Sequence, residues 1–84
     1  MIWARELNSS NWNLWSQSRF GNPVMPRLAF IFRESDDSYK VQSYVWNYDS
    51  DLQETRISYQ PTLEEAKAAA EAVVIEQRLL METK

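Results

Sequence analysis

From Thr62 to Lys84 the chain contains neither Gly nor Pro, and Gln60-Pro61-Thr62-Leu63-Glu64-Glu65 stands at the head of that run. Pro61 interrupts any preceding ladder, and Thr62 with Glu65 three residues on forms a capping box that satisfies orphan backbone N–H groups. Glu64 and Glu65 complement the positive end of the dipole, and Ala66, Ala68, Ala69, Ala70 and Ala72 have high helix propensity. The pattern predicts a helix from about Leu63 to about Glu82, roughly 30 Å long. Leu63, Ala66, Ala70, Val73, Val74, Gln77 and Met81 fall on one stripe, which must lie on a sheet, while Glu64, Lys67, Glu71, Arg78 and Glu82 form a solvated face. Ile75 and Leu79 fit neither face cleanly. They predict a second apolar contact, with the N-terminal segment or with another chain.

A helix with one apolar stripe needs a floor, and the preceding residues supply strands. Arg27 to Arg33 alternates Leu28, Phe30 and Phe32 against Arg27, Ala29, Ile31 and Arg33. Ser35-Asp36-Asp37-Ser38 carries turn chemistry. Tyr39 to Tyr48 alternates Val41, Ser43, Val45 and Asn47 against Lys40, Gln42, Tyr44, Trp46 and Tyr48, and Asp49-Ser50-Asp51 closes it. Glu54 to Gln60 makes a third, more polar strand.

Residues 1–26 read as irregular or as a short N-terminal strand and turn. Ile2 to Leu7 fits a strand, Asn11 to Trp15 fits a strand or one helical turn, and Gly21 to Pro26, holding the only Gly and two Pro, reads as a loop. The fold class is α+β, a single domain over residues 1–84: an antiparallel meander of three to four strands within 27–60, with one long C-terminal helix, 63–82, packed on one face.

The composition narrows function mainly by exclusion. Eighty-four residues can hold one small core, with a stability of about 4–13 kcal/mol. There is no Cys and no His, which removes disulfides, thiol nucleophiles, imidazole bases and the usual zinc and haem ligands. No glycine-rich phosphate cradle, nucleophile elbow or forced carboxylate pair is present, so the chain reads as a non-enzyme with no cofactor. No signal-like N-terminus and no long apolar window is present, and the expectation is a cytoplasmic protein without membrane contact.

Two sets of side chains stand out as candidate partner-binding residues. Tyr44, Trp46 and Tyr48 recur at spacing two, so a strand puts all three rings on one face. Left open, that row is a stacking platform for unpaired bases or a hot-spot row for a protein; the plainer expectation is that it is the floor beneath the helix, with Val41 and Val45 outward. The second set is acidic: Asp36, Asp37, Asp49 and Asp51 at the hairpin ends. Such a surface complements a basic cleft on another protein, although successive meander turns lie at opposite ends of a sheet. Charge is also divided along the chain, net +3 over residues 1–33 and net -6 over residues 34–84. Arg5, Arg19, Arg27 and Arg33 are the only basic cluster, a thin footprint for nucleic acid. Asp49-Ser50-Asp51 lacks the later Gly and Glu of a calcium loop.

A hairpin meander running into Tyr59-Gln60-Pro61-Thr62-Leu63-Glu64-Glu65-Ala66-Lys67-Ala68-Ala69-Ala70-Glu71 resembles the small accessory proteins of bacteriophages, over roughly the last half of the chain. The resemblance implies an inhibitor of host defence or host enzymes, of the anti-CRISPR kind, that binds a host protein and blocks it. It carries over no individual residue. Two other expectations stand beside it: a single-stranded nucleic-acid binder stacking bases on the sheet aromatics, and a structural homo-oligomer closed by Ile75, Leu79 and Leu80, for which a homodimer through the C-terminal helix is the simplest form.

Overall fold

The computed structural model describes residues 1–7, 9–17, 20–34, 36–47 and 49–82, with the backbone alone at 17, 24–26, 81 and 82. Five strands precede one helix: β1 (Ile2–Arg5), β2 (Trp12–Gln17), β3 (Pro23–Arg33), β4 (Tyr39–Asn47), β5 (Leu52–Gln60) and α1 (Leu63–Glu82). The strands pair in chain order as a single antiparallel sheet. This is the expected α+β meander with one more strand than the largest number expected.

The additional strands come from residues 1–26. Neither segment is long enough for its periodicity to separate strand from helical turn, but pairing decides it: Trp3 faces Leu14 and Ala4 faces Asn13 across an antiparallel ladder. The reading of Gly21 to Pro26 as a loop is corrected by the same principle. Gly21 turns with φ 87°, but Pro23 already starts β3 and pairs with Gln17. Between Pro23 and Leu28, β3 is bonded on one side alone, because its pairing with β4 begins only at Ala29. A proline lacking its N–H is tolerated on such a one-sided ladder.

The helix crosses the sheet closely because both surfaces are small where they meet. Ala66 and Ala70 are fully buried, and beneath them Ala29 lies opposite Ser43 and Ile31 opposite Val41. Leu14, Val41, Val45 and Val74 complete the buried apolar set. Where Ala66 and Ala70 cross β3 and β4, helix and sheet meet through Ala29, Ile31, Val41 and Ser43, and the indoles of Trp3 and Trp12 pack beside this contact on the β1–β2 side. Of the expected stripe, Ala66, Ala70 and Val74 dock in the core and Leu63 packs against it, while the Met81 side chain lies outside the described residues. At the start of α1 the Glu65 N–H donates to Thr62 Oγ1 at 3.1 Å. Thr62→Ala is expected to lose about 1 kcal/mol, read from the urea unfolding midpoint.

Ser43 is a polar side chain set into the middle of this floor. Its Oγ has no hydrogen-bond partner among the described residues, so folding strips the hydroxyl of water without replacement. Ser43→Ala is expected to raise stability by about 1 kcal/mol, moving the thermal midpoint up by roughly 4–8 °C for a domain of this size.

The N-terminal hairpin is tied to the helix by tryptophans. Trp3 Nε1 donates to Glu71 Oε1 at 2.8 Å, and Lys67 Nζ lies 3.7 Å from the Trp12 ring centroid and 5.6 Å from that of Trp3. Two residues placed by sequence on the solvated helix face, Lys67 and Glu71, thus anchor the edge strand instead. The resulting body measures 39 × 30 × 19 Å and exposes 5797 Å², above the roughly 5,200 Å² expected for its mass. It is a two-layer slab, so the outward side of the sheet has no layer over it.

Candidate functional site

Strand alternation and register assign that outer face residue by residue. Tyr44 pairs with Thr55, Trp46 with Gln53, Gln42 with Ile57 and Lys40 with Tyr59, while Phe30 pairs with Gln42 and Phe32 with Lys40. Because Val41, Ser43 and Val45 are buried under α1, their neighbours on β4 point the other way. The expectation that Tyr44 and Trp46 form the helix floor is therefore overturned, for the steric reason given above: an alanine-faced helix sits on small residues. Trp46 is 42% exposed, Ile57 52% and Tyr59 61%. Tyr48 lies outside the described residues.

A register shift extends the face onto β3 and β2. Leu14 pairs with Ala29 but Trp15 with Arg27, so Leu28 is an extra residue that reverses the alternation and sends the Arg27 side chain outward. There its guanidinium donates to Asn13 Oδ1 at 3.0 Å and to the Tyr44 hydroxyl at 3.1 Å. It also lies 5.0 Å from the Phe30 ring centroid and 5.4 Å from that of Tyr44. Lys40 Nζ is 5.2 Å from the Phe32 centroid, and the Phe30 and Phe32 rings are 5.2 Å apart. Two cations are thus seated on a ridge of rings and held by their contacts. Among the described residues, the strand positions of this face hold no carboxylate.

The candidate acids are elsewhere. Asp36 and Asp37 form the β3–β4 turn and Asp51 the β4–β5 turn, separated by the length of β4, about 30 Å. Asp36 Oδ1 accepts the Ser38 hydroxyl at 2.6 Å and the Ser38 N–H at 3.1 Å, which hold its carboxyl below the usual range. Its contribution to the turn is present at neutral pH and is lost as pH falls through that lowered value. Asp37 and Asp51 have φ of 67° and 59°, a region Asp tolerates better than most residues, and Asp37 pairs with Arg33. The Asp36 and Asp37 carboxylates are thus engaged within the β3–β4 turn, and Asp51 builds its turn through the backbone, its N–H donating to the Asn47 carbonyl. Asp49 follows the Asn47 side chain, whose Oδ1 accepts its N–H at 3.0 Å.

One contact on β4 shows why a glutamine interrupts the apolar helix stripe. Among the described residues the β3 register ends at Ser43, and the Trp46 N–H donates to Gln77 Oε1 at 3.0 Å. Gln77 therefore fixes the backbone that carries Trp46. The two also border a cleft of about 300 Å³ with Asn47, Asp49, Arg56 and Leu80. Arg56 bridges β5 to the helix through Glu76 at 3.0 Å, an exposed pair contributing at most about 1 kcal/mol.

Among the described residues, no group of three metal-capable side chains comes together, and no helix is long and apolar enough to cross a membrane. Comparison with protein-family models, curated proteins and solved structures gives no match.

Proposed function

We propose that the chain is a protein-binding module that docks a partner on the open face of its sheet. The observation that carries this reading is the cation-seated aromatic ridge, left uncovered by α1 and bordered by exposed Trp46, Ile57 and Tyr59. Rings and guanidinium held in place before binding lose little entropy on docking, which is how aromatic and Arg residues come to dominate interfaces. The matching partner surface is apolar at its centre and carries carboxylate, because the face offers two cations and no acid. Occlusion of a host protein, the action implied by the phage resemblance, is a natural use of such a face; the acidic turns are not its centre.

The same ridge disfavours base stacking. A base needs the flat side of a ring, and Arg27 and Lys40 already lie over Phe30, Tyr44 and Phe32. Two cations also give only a shallow counterion-release term, set against a chain of net charge -3. The test is capture with the tagged chain from bacterial lysate, with and without nuclease, beside titration of its Trp fluorescence with a single-stranded oligonucleotide. The expected result is a stoichiometric protein retained after nuclease and fluorescence unchanged by the oligonucleotide. Capture abolished by nuclease, with strongly salt-dependent quenching, would replace this reading with the nucleic-acid one.

A further inference from the structure

The outward face of α1 is also apolar. Ala68, Ala72, Ile75 and Leu79 lie directly opposite the docked stripe, and Ile75 and Leu79 are 52% and 58% exposed. Their spacings of four, three and four are those of a coiled-coil seam, so the helix carries two faces: one for its own sheet and one left over.

We propose that two copies of the chain associate through this seam, with their α1 helices packed antiparallel about a two-fold axis. Size and charge choose the orientation. Antiparallel, Leu79 meets the partner's Ala68 and Ile75 meets the partner's Ala72, so each large residue fills the space over a small one. Parallel, alanine faces alanine in two layers and the packing is uneven. The flanks agree: antiparallel pairing sets Glu71 beside the partner's Arg78 twice over and Glu76 beside the partner's Ala69, whereas parallel pairing sets Glu71 beside the partner's Glu76. Glu65 takes the next seam position and bounds it, so the dimer is short and concentration-dependent. Both sheets then face outward, leaving their ridges free. This inference uses the face opposite the proposed docking site and stands without it.

The test is sedimentation of the full chain over a roughly hundredfold concentration range, where mass action makes a weak dimer visible. The expected result is a monomer–dimer equilibrium whose dissociation constant rises at least about tenfold in Ile75→Glu, with helix content unchanged because the site is exposed. Orientation is read by oxidation, since the chain has no native Cys. In the antiparallel register two copies of residue 68 are offset by about 16 Å, beyond the roughly 7 Å a disulfide spans. Ala68→Cys alone should stay uncrosslinked, while a mixture of Ala68→Cys and Leu79→Cys should yield the mixed dimer. A strict monomer throughout the range, association indifferent to Ile75→Glu, or self-crosslinking of Ala68→Cys would each overturn the proposal.

Discussion

Ile31→Ala is expected to cost about 2–5 kcal/mol, a large part of the roughly 4–13 kcal/mol available to a chain of this length. Ile31 is fully buried between Trp12 on β2 and Val41 on β4, in the small-residue floor beneath α1. Truncation removes its apolar transfer energy and leaves a cavity that helix and sheet, already in close contact, cannot collapse to fill. Ile57→Ala deletes the same atoms from the other face, where the side chain is half exposed, and should cost less than about 1 kcal/mol. Urea unfolding of the two variants side by side reads the sheet-face assignment directly. Equal losses, or the larger loss at Ile57, would place the helix on the wrong side.

Trp46→Ala should have the opposite profile, leaving stability nearly unchanged and removing binding. A central aromatic anchor is worth at least about 2 kcal/mol to an interface, a loss of roughly thirtyfold in affinity for the captured partner. The fold tolerates the change because the hydrogen bond to Gln77 on the helix is made by the Trp46 backbone N–H, which alanine keeps. Titration calorimetry against the captured partner measures the loss. Undiminished affinity, with normal folding, would take Trp46 out of the interface.

The helix, its capping Thr62 and the strands β3, β4 and β5 were legible in the sequence because each is long enough for its period to be counted. The hairpin of β1 and β2 was not. Four and six residues carry too few repeats, and the evidence for them is pairing between positions such as Trp3 and Leu14 that no local pattern records. Bulk alone places Tyr44 and Trp46 on the side of the sheet beneath the helix. The better signal was the helix itself: Ala66 and Ala70 demand a floor of Val41, Ser43 and Ala29, which leaves the rings outside. Arg27's position depended on a one-residue bulge at Leu28, and that irregularity has no signature in composition or spacing.

Photocrosslinking reads directly whether the open sheet face is the docking surface. A benzoyl-phenylalanine placed at Ile57, in the middle of the face, is compared with one placed at Asp36, in the acidic β3–β4 turn. A covalent adduct with the captured protein is expected from position 57 and none from position 36. Adducts from the turn alone would contradict it and return the interface to the acidic hairpin ends.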